Sequence, residues 1–169
     1  GMSKLASLSN LQLLLRIVEA VRDCPRCFPQ DGLSYVIAFS PHQDCQECGG
    51  TGKVPILDPK LMRLPCPMLY ERPLWASMQT THELQGINCE CGGRNWVPNP
   101  DAWDMRKALH LAGFYLREES IFVPMEELPW GAACWPKTRT RSNVWATDWA
   151  WAADPEWVRL LAVAKAFGI

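Results

Sequence analysis

Two pairs of cysteines near the start of this chain limit its fold more than any other feature of the sequence. Each pair has the spacing Cys-x-x-Cys, at Cys24/Cys27 and Cys45/Cys48, and 17 residues separate the two pairs. A turn with this spacing presents two sulfur atoms to one side, and two such turns at the ends of a hairpin present four. Four thiolates arranged as a tetrahedron are usual ligands of a structural zinc ion. The spacing therefore predicts one zinc ion, bound by these four cysteines.

The residues after the second pair resemble a known metal-binding repeat. Residues 45–52 read Cys-Gln-Glu-Cys-Gly-Gly-Thr-Gly, which is similar to the Cys-x-x-Cys-x-Gly-x-Gly repeat of the DnaJ-type cysteine-rich domain and of zinc ribbons in general. Over residues 24–55, this resemblance implies that the four cysteines bind metal. The chain departs from a DnaJ chaperone because paired glycines do not follow Cys27 and no His-Pro-Asp signature occurs.

The sequence Glu-Cys-Gly-Gly occurs twice and indicates an internal duplication. It stands at residues 47–50 and 90–93, and Val-Pro follows after three further residues in both places. Upstream, Cys66-Pro67 repeats Cys24-Pro25 at an offset of 42 residues, and Cys91 repeats Cys48 at an offset of 43, with one residue missing between the two cysteines of the second pair. We therefore predict a tandem duplication of one ribbon-like unit whose second copy is degenerate.

The second copy keeps three cysteines. Leu69 replaces the second cysteine of the first pair, whereas Cys66, Cys89 and Cys91 remain. His82 is the histidine between the two cysteine groups, and it would complete a Cys3His site of ordinary zinc chemistry. The alternative is a metal-free unit that is held by its own packing. The sequence thus predicts one zinc ion and leaves a second one open.

A nested arrangement of the ligands is the alternative to the tandem one. In the DnaJ-type module the outer pairs share one ion, which here would group Cys24 and Cys27 with Cys89 and Cys91. The other ion would then be bound by the remaining ligands: Cys45, Cys48, Cys66 and either His42 or His82. Both copies end in the same Gly-Gly-x-x-x-Val-Pro sequence, which favours the tandem arrangement.

The first segment is predicted to be an amphipathic helix over residues 10–22, capped by Ser9. Its apolar residues recur at helical spacing and are expected to share one face: Leu11, Leu14, Leu15, Val18 and Val21. Arg16 and Glu19 interrupt the apolar run, and no small-residue cleavage site follows, so the segment is a helix rather than a signal peptide. No run of about 18 apolar residues occurs. We therefore expect a cytoplasmic protein without membrane contact.

Residues 99–169 are predicted to form a helix–strand–helix layer. Asn99-Pro100-Asp101 and Asp154-Pro155-Glu156 each combine a cap, a proline and an acid, which is typical of a helix start. The first of these helices is expected to reach Ala112, and two or three strands lie between the helices. A further strand is predicted over residues 34–39. The predicted fold is α+β with four parts: an N-terminal helix (1–23), a zinc ribbon (24–57), a second, degenerate ribbon (58–98) and a C-terminal α+β domain (99–169).

Charge and motifs narrow the functional class. The net charge is −1, from 17 basic and 18 acidic residues, and this balance gives no broad attraction to nucleic acid or to an anionic membrane. A four-cysteine shell has no open position for a substrate, and the chain lacks the His-Glu-x-x-His and His-x-Glu signatures of zinc enzymes. We expect a non-enzymatic binding or adaptor protein with a macromolecular partner. The alternatives are a nucleic-acid-binding accessory protein and an enzyme with an unrecognised site.

A basic and aromatic stretch suggests where nucleic acid would bind. Lys137, Arg139 and Arg141 alternate with threonines and are flanked by Trp135 and Trp145. On a strand, the three cations would share one face, and cations next to aromatic rings are typical of single-strand nucleic-acid platforms. The simpler interpretation is a solvated strand face.

The C-terminus carries a second, short resemblance. Residues 145–150 read Trp-Ala-Thr-Asp-Trp-Ala, and the helix after them ends at Phe167-Gly168-Ile169. This ending looks like the tail of small phage-borne sandwich proteins of unknown function, which implies a phage or prophage origin and adds no chemistry. The chain also has nine tryptophans, which either pack in the core or form a surface for stacking or for a partner.

Overall fold

The structure is a computed structural model that describes residues 5–28, 45–67, 91–120, 129–137 and 149–169. Helices and antiparallel sheets occur together over these residues, which confirms the predicted α+β class. The predicted strand at 34–39 lies outside the described residues, and the division into four parts stays a prediction. The elements in chain order are α1 (Asn10–Glu19), β1 (Val21–Asp23), β2 (Lys53–Pro55), α2 (Pro59–Met62), β3 (Arg63–Pro65), β4 (Trp96–Pro98), a 3₁₀ helix (Pro100–Trp103), α3 (Arg106–Leu111), β5 (Phe114–Ser120), β6 (Trp130–Pro136), β7 (Ala150–Ala152) and α4 (Pro155–Ala166).

Helix α1 begins at the predicted cap and ends earlier than predicted. The Ser9 hydroxyl accepts a hydrogen bond from the Gln12 N–H, and the Gln12 side chain accepts one from the Ser9 N–H, so the two residues form a capping box. Ala20 is extended, with φ −61° and ψ 138°, and the helix stops before it. Residues 21–23 then form strand β1 instead of continuing the helix.

The buried face of α1 differs from the predicted one. The helix buries four apolar side chains: Leu13, Leu14, Ile17 and Val18. Leu11 and Val21 are 49% and 52% exposed. The prediction was wrong at these two residues because α1 packs against α4 through a face rotated from the predicted one, and because Val21 already belongs to a strand.

Two short antiparallel sheets have the same register. In the first, β1 pairs with β2 as Val21↔Pro55, Arg22↔Val54 and Asp23↔Lys53. In the second, β3 pairs with β4 as Arg63↔Pro98, Leu64↔Val97 and Pro65↔Trp96. The first strand is therefore repeated at an offset of 42 residues and the second strand at 43. These are also the offsets from Cys24 to Cys66 and from Cys48 to Cys91, so the described ends of the two hairpins have matching ladders beside matching cysteines.

The second hairpin is attached to helix α1 by polar contacts. The Arg63 guanidinium lies over the Trp96 ring, 4.4 Å from its centroid, and also donates to the Val18 carbonyl at 3.4 Å. Arg94, in the turn before β4, forms an ion pair with Glu19. The two hairpins are thus joined through the helix that precedes the first of them.

A three-stranded antiparallel sheet of order β5-β6-β7 forms the C-terminal layer, and α4 packs on one of its faces. The Asp154 carboxylate caps α4 by accepting from the Glu156 N–H, with Pro155 in the first turn, as predicted. Phe114 of β5 contacts Phe167 at the end of α4, with ring centroids 4.9 Å apart. The main apolar core lies between this layer and α1.

The helix predicted from Asn99 to Ala112 is broken into two. Asn99 caps the start of the helix as predicted, because its side chain accepts a hydrogen bond from the Asp101 N–H. The turn that follows is a 3₁₀ helix, and Asp104 ends it with φ −106° and ψ 81°. Helix α3 then starts anew at Arg106. The cap predicts where a helix begins, and local backbone geometry at Asp104 decides where it stops.

Candidate metal centre

Cys24, Cys27, Cys45 and Cys48 form one compact cluster. All four side chains are buried, and their Sγ atoms lie within 4.8 Å of one another. The Sγ atoms of Cys24 and Cys45 are 3.8 Å apart, and those of Cys27 and Cys48 are 3.6 Å apart. The described cysteines form no disulfide with one another. The chain thus has four thiol groups, close together and shielded from solvent, that could hold a metal ion.

This grouping decides between the two arrangements for the first centre. The tandem arrangement joins the first two cysteine pairs, and the structure joins them. The nested alternative, in which Cys24 and Cys27 share an ion with Cys89 and Cys91, is wrong because Cys45 and Cys48 occupy the places beside the first pair. The reason is the β1–β2 ladder, which brings the start of one cysteine turn next to the end of the other.

Backbone hydrogen bonds build the cluster from two similar turns. The Phe28 N–H donates to the Cys24 carbonyl at 2.8 Å, and the Gly49 N–H donates to the Cys45 carbonyl at 2.8 Å. Each turn therefore closes over its own pair and points both sulfur atoms inward. The two turns are then tied together by the Cys24 N–H, which donates to the Gly52 carbonyl at 2.9 Å.

The environment of Cys48 favours the thiolate. Burial by itself raises the pKa of this thiol, but hydrogen bonds from the backbone N–H groups of Gly52 and Gly50, and contacts with the Cys27 and Cys45 thiols, outweigh it. Together they lower the pKa of Cys48 from 9.0 to about 6. Because the thiolate is the metal-binding form of cysteine, one member of the cluster is ready to bind a cation at neutral pH.

The separations within the cluster fit zinc. Four sulfur atoms placed about 2.3 Å from a central ion in a tetrahedron lie about 3.8 Å from one another. The two sulfur–sulfur distances of 3.8 and 3.6 Å are close to that value. Phe28 and Val54 pack against the cluster, and they separate the thiols from water. The geometry therefore suits a tetrahedral ion with a closed shell.

The second copy places two of its cysteines in the same backbone setting. The Cys66 N–H donates to the Asn95 carbonyl at 3.0 Å, and the Arg94 N–H donates to the Cys91 carbonyl at 3.2 Å. Both thiols are buried, at 1% and 3% exposure. Cys89, His82 and Leu69 lie outside the described residues, so the ligand set proposed for this copy stays a prediction.

Comparisons with known proteins give no match. No protein-family model, no curated protein and no solved structure matches this chain. The resemblance to zinc ribbons is therefore carried by the cysteine pattern and by the cluster that it forms. Among the described helices, none combines the length and the apolar character that a membrane crossing requires.

The basic strand is described at one residue only. Lys137 follows β6 and lies with its Nζ 2.8 Å from the His110 Nδ1 and 5.4 Å from the centroid of the Tyr115 ring. Trp135 lies beside Tyr115, with ring centroids 6.1 Å apart. Arg139, Arg141 and Trp145 lie outside the described residues, so the shared face of the three cations stays a prediction.

Sequence reasoning named Trp135 beside Lys137 but missed Tyr115. Phe114 and Leu116 of β5 pack into the core, so Tyr115 between them points to the opposite face of the sheet. Its partner across the ladder is Trp135, and Tyr115 is 50% exposed. The alternation of core-facing and outward-facing side chains along β5 is the sequence signal that could have identified Tyr115.

Two more tryptophans extend this face. Trp151 pairs with Gly131 of β6 and lies across it so closely that a Cβ at Gly131 would come 2.6 Å from the Trp151 ring. Trp149 stacks on Trp151 with ring centroids 5.7 Å apart. We refer to these four residues as the outer aromatic face: Tyr115, Trp135, Trp149 and Trp151.

A surface cavity of about 330 Å³ lies beside α4 and is lined in part by Arg106, Glu118 and Arg159. The Glu118 carboxylate accepts a hydrogen bond from the Arg159 Nε at 2.7 Å and also pairs with Arg106. A second guanidinium nitrogen of Arg159 donates to the Trp103 carbonyl at 3.0 Å. Arg106 also pairs with Asp104, so two guanidinium groups meet two carboxylates. The Arg159–Glu118 pair attaches α4 to β5, which is a structural role.

Proposed function

We propose that this chain is a zinc-dependent, non-enzymatic binding protein, in which one structural zinc ion is held by Cys24, Cys27, Cys45 and Cys48. The observation that carries the proposal is the burial of four Sγ atoms within 4.8 Å of one another. When bound, zinc would supply the positive charge that keeps four thiolates together. A full thiolate shell has no position for a substrate, so the ion stabilises the fold and takes no part in a reaction.

The roles of the neighbouring residues follow from this shell. The N–H groups of Gly50 and Gly52 donate to the Cys48 sulfur, which spreads the negative charge of the thiolate. The β1–β2 ladder sets the distance between the two cysteine turns. In small metal-dependent peptides such a site contributes on the order of 10–16 kcal/mol of folding free energy. We therefore expect bound metal to supply much of the folding free energy of the first hairpin.

Metal analysis of purified variants tests the proposal. Cys24→Ser and Cys48→Ser should each lose one zinc ion per chain relative to the unaltered protein. Cys134→Ala is the matched control, because Cys134 is a buried cysteine in the main core, where burial raises its pKa to about 12. Equal zinc content in all four proteins would contradict the proposal, and iron in place of zinc would correct the metal but keep the site.

A second candidate function is binding of single-stranded nucleic acid on the outer aromatic face. The observation that favours it is the position of Lys137, whose Nζ lies 5.4 Å from the centroid of the Tyr115 ring. Exposed rings stack on bases, and a neighbouring ammonium group attracts the phosphates. In this second candidate function, the macromolecular partner of the protein is a nucleic acid that binds to the outer aromatic face.

Salt-dependent binding separates this function from binding of a protein partner. Lys137→Gln should weaken binding of a single-stranded oligonucleotide and lower the slope of log affinity against log salt by roughly 0.7. Tyr115→Ala should weaken binding without changing that slope. Lys60→Gln is the control, because Lys60 is an exposed lysine on α2, outside the sheet. No binding by the unaltered protein at low salt would exclude nucleic acid and favour a protein partner.

A further inference from the structure

We infer that the cysteine cluster is redox-sensitive: hydrogen peroxide converts it into two disulfides, Cys24 to Cys45 and Cys27 to Cys48, and the metal ion leaves. The inference rests on the proposed zinc-binding function of the same four residues and concerns how that site is regulated. Its basis is the position of the four sulfur atoms relative to one another and to solvent. The same geometry decides which sulfur atoms pair.

The sulfur atoms approach one another across the two cysteine turns. The Sγ atoms of the first cysteine of each turn, Cys24 and Cys45, are 3.8 Å apart, and those of the second cysteine of each turn, Cys27 and Cys48, are 3.6 Å apart. A disulfide bond is about 2.05 Å long, so each pair has to close by less than about 2 Å. Small rotations of the side chains can supply this movement while the backbone of both turns stays in place.

Solvent reaches one member of each pair. Cys45 and Cys48, in the second turn, are 6% and 7% exposed, whereas Cys24 and Cys27, in the first turn, are 0% and 1% exposed. Peroxide is little larger than water and therefore meets the second turn first. Pairing within the turns would need a bond between Cys24 and Cys27, which solvent does not reach, so the exposure favours bonds between the turns.

The reaction balances with peroxide as the oxidant. A cysteine sulfur of the second turn attacks the O–O bond, which breaks, so that an S–O bond forms and the other oxygen leaves as water. The partner sulfur of the first turn then attacks this sulfenic acid, so that the S–S bond forms, the S–O bond breaks and a second water leaves. Each disulfide thus takes two electrons from its two sulfur atoms and reduces one peroxide. The protons come from the thiols or, when metal is bound, from solvent.

Oxidation removes the metal ligands but keeps the turns joined. The thiolate is the metal-binding form of cysteine, so a cluster with four oxidised sulfur atoms no longer holds the ion. Each disulfide joins residues 21 positions apart, and both close the hairpin that contains the β1–β2 ladder. A cross-link over such a loop restricts the unfolded chain more than a bond within a Cys-x-x-Cys turn does. The hairpin therefore exchanges a metal cross-link for two covalent ones.

Peroxide treatment of the unaltered, zinc-loaded chain tests the inference without depending on the folding of any variant. Native mass spectrometry first gives the zinc content of the reduced protein. A modest excess of peroxide should then release the ion of this cluster to a zinc-binding dye, and a dithiol reductant with added zinc should restore it. Cys134→Ala is the matched control and should behave in the same way, because Cys134 lies in the main core, away from the cluster.

Peptide mapping before reduction identifies the pairs. The chain has a protease site between every two successive cysteines of the cluster: trypsin cuts at Arg26, chymotrypsin at Tyr35 and Glu-C protease at Glu47. The four cysteines then lie on four separate peptides, and the mass of each linked pair shows which two are joined. We expect the first cysteines of the two turns to be linked to each other, and the second cysteines likewise.

The failure of this inference differs from the failure of the proposed function. A chain that contains zinc and keeps it in peroxide, or that forms its disulfides within the Cys-x-x-Cys turns, would overturn the redox inference and leave the zinc site standing. A reduced chain that contains no metal would overturn the proposed function, and the peptide map of that chain would still decide the pairing. Zinc release together with bonds between the turns would support both.

Discussion

Gly52 and Asn95 hold the same backbone position in the two copies of the cysteine hairpin. Their φ angles are 74° and 65°, and each carbonyl accepts a hydrogen bond from the N–H of the first cysteine of its copy, at 2.9 and 3.0 Å. A left-handed backbone is open to glycine and, less readily, to asparagine. The two copies therefore share one conformational requirement at the residue that closes each cysteine turn.

Substitutions at Asn95 should follow this requirement. We expect Asn95→Val to destabilise the folded chain by roughly 1–2 kcal/mol, because a β-branched residue is strained in the left-handed region. Asn95→Gly should be at least as stable as the unaltered chain, since the buried Asn95 Oδ1 accepts no hydrogen bond from the described residues. Urea unfolding followed by tryptophan fluorescence measures both effects. Equal stability of the valine and glycine variants would contradict the shared backbone position.

Zinc should be lost in mild acid. The pKa of Cys48 is lowered from 9.0 to about 6, so in the metal-free chain the folded state releases this proton more readily than the unfolded state. The resulting stability is fully present above pH 9 and is lost as the pH falls towards about 6. Protons compete with the metal for the same thiolates.

The pH profile of metal release checks this expectation. With a zinc-binding dye as competitor, half of the zinc of the first centre should be released below about pH 6. Half-release well above pH 6 would contradict a thiolate that is favoured at Cys48.

The cluster of the first centre could be predicted from the sequence, because the interactions that form it act between residues close together in the chain. The spacing of Cys24, Cys27, Cys45 and Cys48 predicted one cluster, because a Cys-x-x-Cys turn is a local structure and four sulfur atoms have few ways to meet. The caps at Ser9 and elsewhere were confirmed for the same reason.

Features that depend on distant parts of the chain could not be predicted. The face of α1 that is buried depends on its contact with α4. In that contact Asn10 meets Asp154, the cap of α4, which lies 144 residues away in the sequence. The outer aromatic face joins Tyr115 to Trp151 through the strand order β5-β6-β7, which no local pattern encodes. The adaptor role and the phage origin stay predictions.

The contact between Asn10 and the cap of α4 offers a test of that distant pairing. The Asn10 Nδ2 donates to the Asp154 carboxylate at 3.1 Å and to the Glu156 carboxylate at 3.3 Å. The hydrogen bond from Asn10 lowers the pKa of Asp154 below its ordinary value of 3.8. Asn10→Ala should cost roughly 0.5 kcal/mol of stability at neutral pH, since the bond is exposed.

The sign of the pH effect follows from that lowered pKa. The stability contributed by Asp154 is present above its unfolded pKa of 3.8 and is lost as the pH falls through the lower pKa of the folded state. The difference between Asn10→Ala and the unaltered chain should therefore shrink in acid. A difference that grows as the pH falls below 3.8 would contradict the assigned contact.

Gly131 is required for Trp151 to lie across the sheet. A Cβ at this position would come 2.6 Å from the Trp151 ring, so Gly131→Ala should destabilise the chain by about 1–3 kcal/mol, as overpacking does elsewhere. Trp151→Ala removes the ring, so it should relieve the clash that Gly131→Ala creates. The double variant should then lose less stability than the two single variants together, and strict additivity in thermal unfolding would refute the contact.

X-ray absorption at the zinc edge tests the central claim most directly, because it reports the atoms bound to the metal in the unaltered protein. If four cysteines hold a structural ion, the first shell is dominated by sulfur at about 2.3 Å. A shell dominated by nitrogen or oxygen at about 2.0–2.1 Å, or a protein that contains no metal, would contradict the account.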